Sequence, residues 1–166
     1  MPRVGIALGS NLGDRLTNLR QASTLLHEIA ITGEPFLTAP VFQTSPRLCP
    51  PGSPDFYNTV VEISHQGTAS ELLELTQAIE KKLGRLPTTE RNAPRVIDLD
   101  LLYFGSEIII SESLILPHPR LHERRFVIQP LAAIRPDLVL PGQCHTIAEL
   151  LQQLPAGEAP LVLVYE

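Results

Sequence analysis

Apolar residues fill positions 4–8 and stop at Gly9, the pattern of a buried strand closed by a turn. Gly9-Ser10-Asn11 makes that turn, and Asp14 stands in the first turn of the helix that follows. Along this helix Leu16, Leu19, Ala22, Leu26 and Ile29 recur at helical spacing, so one stripe packs inward. Residues 36–44 read as a strand. The stretch 45–55 holds Pro46, Pro50, Pro51 and Pro54 and is predicted to be a loop. The extended pattern resumes at 56–64, with Val60, Glu62 and Ser64 on one face and Val61 and Ile63 on the other.

The second helix is the clearest element. Thr68 and Glu71 have the spacing of a capping box. Leu72, Leu75, Ile79 and Leu83 form its apolar stripe, and Gly84 falls where a helix should stop. A polar, proline-bearing segment then leads into a predicted strand at 95–104, a Gly105-Ser106 turn and a short strand at 107–110. Pro117-His118-Pro119 is irregular, and a helix is expected over 122–134, ended or kinked by Pro130. Ile147, Leu150, Leu151 and Leu154 mark a last amphipathic segment, and 161–165 a last strand. Strand, helix, strand, strand, helix, strand predicts an α+β fold with a ferredoxin-like βαββαβ core, decorated by C-terminal helices and short strands. With no repeat or linker in view, residues 1–166 are read as a single domain.

Composition narrows the function classes. At 166 residues and 43% hydrophobic, the chain can bury about two-thirds of its unfolded surface. Cys49 and Cys144 form no metal or redox motif and read as reduced thiols. No basic stretch precedes a long apolar run at the N-terminus, and no run of about 18 apolar residues occurs, so a cytoplasmic protein without a membrane span is expected. A net charge of −5 argues against nucleic acid as a partner. Yet Arg85, Arg91, Arg95, Arg120, Arg124 and Arg125 crowd one part of the second half, and arginine suits bidentate phosphate contacts.

The segment Arg95-Val96-Ile97-Asp98-Leu99-Asp100-Leu101 carries the most chemistry. On a strand Asp98 and Asp100 project to one face, with Cα atoms roughly 6.5–7 Å apart, and Leu99 and Leu101 to the other. Asp-x-Asp is short, and a solvated strand face is the bland reading. Two carboxylates in an otherwise apolar strand repel one another and call for compensation, and Mg²⁺ supplies it well. No GxxxxGK[ST] is present, so a nucleotide's phosphates would need metal and loop arginines. Arg20 and Arg135 read as partners in weak surface ion pairs.

Several stretches in order resemble the dihydropterin pyrophosphokinase family. They are Ala7-Leu8-Gly9-Ser10-Asn11-Leu12-Gly13, Thr44, Asp55-Phe56-Tyr57-Asn58, Gly84-Arg85, Arg91-Asn92-Ala93-Pro94-Arg95-Val96-Ile97-Asp98-Leu99-Asp100-Leu101-Leu102 and Leu116-Pro117-His118-Pro119. The resemblance implies pyrophosphoryl transfer from ATP to a reduced hydroxymethyl pterin, with release of AMP. It implies two Mg²⁺ ions on Asp98 and Asp100, and catalytic roles for Arg85 and Arg95. Gln77, Arg91, Leu101, His118 and Arg124 match ATP contacts, and Glu80 should face the same cleft. Thr44, Ser45, Phe56, Asn58 and Phe126 match the pterin pocket. Many members carry Trp-Gly where this chain has Asn92-Ala93, so an indole is lacking there; some also have arginine at Pro87. A monomer or weak homodimer is expected.

Overall fold

Local signals largely decide where the elements begin and end. A computed structural model describes residues 2–44, 55–85, 95–155 and 161–165. It contains β1 (Arg3–Ser10), α1 (Arg15–Ile29), β2 (Leu37–Thr38), β3 (Val41–Thr44), β4 (Phe56–Ser64), α2 (Ala69–Lys82) and β5 (Asp98–Phe104). The short strands β6 (Ile109–Ile110) and β7 (Ile115–Leu116) follow, then a 3₁₀ turn (Leu121–Glu123), α3 (Arg125–Ile134), α4 (Ile147–Gln153) and β8 (Val162–Tyr165).

The main sheet runs β5-β1-β4-β3-β8, with β2 also on β4. Every pair in it is antiparallel. Its first four strands have the ferredoxin-like order expected of the βαββαβ core. β6 and β7 form a separate two-stranded ribbon.

Several boundaries differ from those expected. The strand at 36–44 is two strands, because Pro40 between them has no N–H to give a ladder. The strand expected from 95 begins at Asp98. The short strand expected at 107–110 is confined to Ile109–Ile110. The helix expected from 122 starts with a 3₁₀ turn, breaks at Arg124 and then runs through Pro130 to Ile134. Pro130 thus does not end it, although it leaves the Phe126 carbonyl without an i+4 donor. Asp14 proves to be the N-cap of α1, its side chain accepting from Thr17 N at 3.1 Å. Thr68 caps α2 by accepting from Glu71 N, and the full reciprocal box forms at Thr146 and Glu149 of α4.

Helices cover both faces of the sheet. Val4, Ile6 and Leu8 of β1, Val61 and Ile63 of β4 and Leu99 and Leu101 of β5 pack under α1 and α2. Val60 and Leu102 face α3 and α4 together with Val127, Ile128, Leu131 and Ile147. Each such buried side chain contributes roughly 1.5–3 kcal/mol.

One charge is sunk into the second face. Glu62 is 1% exposed and accepts from Arg135 Nη1 at 2.5 and 2.6 Å and from Arg3 Nε at 2.8 Å. The Tyr103 hydroxyl also donates to it, and burial followed by the Glu62 charge raises the phenol's pKa. Arg135 is therefore a partner of a buried carboxylate, not the surface ion-pair residue expected. Gly5 makes the arrangement possible, since a Cβ there would stand 2.3 Å from the Tyr103 ring. Removing the carboxylate takes a partner from Arg135, from the Tyr103 hydroxyl and from Arg3, which keeps the Pro35 carbonyl and Ser64 Oγ. Glu62→Ala should cost about 3 kcal/mol in urea unfolding, and an unchanged midpoint would contradict this account.

Candidate active site

β5 is an edge strand, and its first residues stand against the end of β1. The register pairs Asp98 with Gly9 and Asp100 with Ala7, while Gly9 pairs on its other side with Asn58 of β4. Because Leu99 and Leu101 point into the core beneath α1 and α2, Asp98 and Asp100 point to the opposite face. That face carries Asn58 and Phe56 as well: a Cβ on Gly9 would meet Asn58 Oδ1 at 3.0 Å and Phe56 Cδ1 at 3.6 Å. Gly9 thus keeps a low floor between the aspartates and Asn58. Two strand spacings separate Asp98 from Asn58, about 10 Å.

The end of α2 delivers the first arginine. Gly84 adopts φ +102, Gly84 N donates to the Lys81 carbonyl at 3.1 Å, and Arg85 N to that of Glu80 at 2.9 Å. This is the double bond pattern of a Schellman stop, and it turns Arg85 back toward the helix end. The Arg85 guanidinium then bridges two carboxylates, Nη1 reaching Glu80 Oε2 and, at 2.9 Å, Asp98 Oδ1. Glu80 Oε2 also accepts from Leu99 N at 2.8 Å, so a buried carboxylate ties α2 to the strand between the two aspartates. Arg95 approaches the other oxygen of Asp98, with Nη1 3.3 Å from Oδ2.

Asp100 is treated differently. Its pKa is pushed up to about 7, first by burial and then by the negative charge of Asp98, against the opposing pull of Arg124. Burial likewise raises Glu80, although the Leu99 N–H and Arg85 oppose it. His118 is bound to β5 through its N–H to the Leu102 carbonyl at 2.8 Å, and its Nδ1 accepts from Arg120 N. Burial, then Arg124 and Arg120, lower its pKa, so the neutral ring is favoured. Arg124 caps α3 and lies 5.6 Å from the Phe126 ring centre. Asp98, Asp100, Arg85, Arg95, Glu80, His118 and Arg124 are thereby linked by contact or charge.

The remaining residues singled out in the sequence fall in three places. Asn58 is buried and donates to Thr44 Oγ1 at 2.8 Å, which fixes its amide with Oδ1 toward Gly9. Phe56 is half-buried beside it, and Phe126 half-buried against the second core. Gln77 stands exposed on α2, one turn before Glu80. The Leu101 side chain lies in the opposite core, so only its main chain is open to a ligand from the edge. Ser45, Arg91, Pro87, Asn92 and Ala93 lie outside the described residues.

Two participants escaped the sequence reading. Asn11, taken as a turn residue, is fully buried and bound to Arg95. Arg15 packs 4.0 Å over the Tyr57 ring and donates to the Asp55 carbonyl at 2.8 Å, bracing the start of β4. Neither contact has a short-range signature, since each spans 40 residues or more.

Fold and site define a ferredoxin-like α+β domain, acidic on its edge strand and guarded by arginines. The chain belongs to the 7,8-dihydro-6-hydroxymethylpterin-pyrophosphokinase family, whose model matches residues 5–136. It is 48% identical over 132 residues, covering 78% of this chain and 75% of the relative, to 2-amino-4-hydroxy-6-hydroxymethyldihydropteridine pyrophosphokinase of Bacillus subtilis. The enzyme of the same name from Haemophilus influenzae is 39% identical over 89% of this chain and 90% of its own. Folic acid synthesis protein fol1 of Pneumocystis carinii is 39% identical over 91% of this chain, which spans only 20% of that longer protein. The fold matches the crystal structure of Plasmodium falciparum HPPK-DHPS with a TM-score of 0.71 at 12% identity, over 92% of this chain and 44% of that one.

The raised Asp100 pKa has a signed consequence. Its folded value exceeds the unfolded 3.8, so its contribution to stability is full below that pH and is lost as the pH rises through about 7. Carboxyl-carbon NMR of the metal-free protein should show an aspartate titrating near pH 7. Asp98→Asn should bring that midpoint down; a parent midpoint near 4 would contradict the stated causes.

Proposed function

We propose that this chain transfers the pyrophosphoryl group of ATP to the hydroxymethyl group of 6-hydroxymethyl-7,8-dihydropterin, releasing AMP for folate biosynthesis. The hydroxyl oxygen bonds to the β-phosphorus, the bond from that phosphorus to the oxygen bridging it to the α-phosphorus breaks, and the hydroxyl proton leaves. The observation that carries the reading is the row Asp98–Gly9–Asn58 across three strands. Two carboxylates stand at one end of this row and a donor–acceptor amide at the other, with a glycine between them, and in this reading the carboxylates handle the phosphates.

At the pterin end, Asn58 presents an amide already oriented by Thr44, able to pair with the edge of a flat heterocycle. Phe56 and Phe126 supply apolar surface for its faces. Ser45 completes the pocket in this reading. At the nucleotide end, Arg85 and Arg95 neutralise the charge that spreads over the phosphoryl oxygens in a loose transition state. His118, Arg124, Arg91 and the main chain of Leu101 hold the triphosphate and nucleoside, with Gln77 on the adenine side.

The donor set fits magnesium. Two hard carboxylates stand on one strand face, and the unfavourable charge on Asp100 is the kind a divalent ion relieves. Among the described residues no group of three or more His, Cys, Asp or Glu side chains could hold a metal ion. Mg²⁺ tolerates that, because water and phosphate complete its shell. Asp98 and Asp100 would hold two such ions, which would lower the polyphosphate's negative charge.

Incubation with Mg²⁺, ATP and the hydroxymethyl dihydropterin should yield AMP by chromatography. Pyrophosphate instead would indicate nucleotidyl transfer, and no turnover a noncatalytic binding module. Asp98→Ala and Asp100→Ala should each reduce turnover by at least about 100-fold in folded protein, and near-parental activity in either would refute their role. Arg85→Ala should lower kcat more than it raises the KM for ATP.

A further inference from the structure

The ladder between β1 and β5 ends at the Gly9–Asp98 pair, so residues 95–97 have no strand partner to define them. Arg95 is nonetheless fastened to the end of β1. Asn11 N donates to the Arg95 carbonyl at 3.1 Å, and Asn11 Oδ1 accepts from Arg95 N at 2.7 Å. A side-chain amide here takes the place of the strand carbonyl that would receive that N–H in a continued ladder. Both main-chain groups of Arg95 are fixed by one residue 84 positions away in sequence.

The base of this clamp is rigid. Asn11 and the preceding Ser10 are both fully buried, and Ser10 Oγ accepts from Asn18 Nδ2 of α1 at 3.2 Å. The clamp is therefore joined to a strand inside the sheet and to the helix packed on it. At its other end the Arg95 side chain is held, among the described residues, by Asp98 at 3.3 Å, and its buried Nε has no hydrogen-bond partner among them. A long side chain held loosely at its tip is aimed mainly by its backbone. Displacing the Cα moves the guanidinium away from Asp98, and misplacements of the order of 1 Å in such groups cost about 100-fold in rate.

We propose that Asn11 is a positioning residue that acts through Arg95, holding its guanidinium over Asp98 from outside the reacting centre. This rests on the role given to Arg95 above. An Asn11 that only stabilised the fold would lower thermal stability and leave the catalysis of the folded fraction intact. One that aims Arg95 alters kcat, and only while Arg95 is present.

The test is a double-mutant cycle on folded, full-length protein, with kcat and both KM values measured at saturating Mg²⁺. Asn11→Ala should lower kcat about 10- to 100-fold, with the pterin KM changed by less than about threefold. In an Arg95→Ala background the same change should cost less than about twofold. Asn11→Asp keeps the acceptor oxygen and guards against a folding failure in the alanine variant. It should retain at least about a third of parental kcat. The proposal is overturned if Asn11→Ala lowers only the melting temperature, or if it lowers kcat equally with and without Arg95. It is overturned too if Asn11→Asp is as slow as Asn11→Ala. An Arg95→Ala protein with parental kcat would sink the role of Arg95 and this inference together. A slow Arg95→Ala beside an unaffected Asn11→Ala sinks the inference alone.

Discussion

Two carboxylates on one face of an edge strand repel each other, and much of the surrounding architecture answers that repulsion. Asp98 is met by guanidinium groups on both oxygens, from Arg85 and from Arg95. Asp100 has no comparable contact among the described residues and instead resists ionisation, so the pair shares less charge near neutral pH than its formula suggests. The site is balanced but not saturated. In the proposed function a polyphosphate with its cations would exchange one set of counter-charges for another.

The scaffold holds those charges with short, local devices. A Schellman stop at Gly84 aims Arg85, and Glu80 links the same turn to Leu99 N. On the other side of the strand entry, Asn11 fastens Arg95. The aspartates are thus flanked by residues tied to α2 and to β1, elements whose apolar faces share one core. At the far end of α3, the buried Glu62 fixes Arg135, anchoring the helix whose first turn carries Arg124 and Phe126 near the site. Placing function on strand and helix ends gives precision that free loops lack.

Periodicity and punctuation carried much of this architecture. Alternation in 98–101 sorted the aspartates from Leu99 and Leu101, and Gly84 marked a real helix stop. Local rules failed where a single residue outweighed its neighbours, as when Pro40 divided a strand. Pro130 did not end its helix, where packing of Val127, Ile128 and Leu131 offsets the lost hydrogen bond. Some contacts between distant segments were not legible. Nothing near Arg135 announces Glu62, and nothing near Asn11 announces Arg95. The residues of the candidate site were recognised by motif, but their division into clamped, bridged and buried groups needed three dimensions.

In the proposed function Asp98 and Asp100 would hold divalent ions against the triphosphate. Crystals grown with Mn²⁺ and an ATP analogue carrying a methylene between the α- and β-phosphorus test it most directly. The account predicts anomalous peaks bound by both carboxylates and by phosphate oxygens, with Asn58 free for the pterin. Peaks elsewhere, with both aspartates still paired only to protein groups, would contradict it.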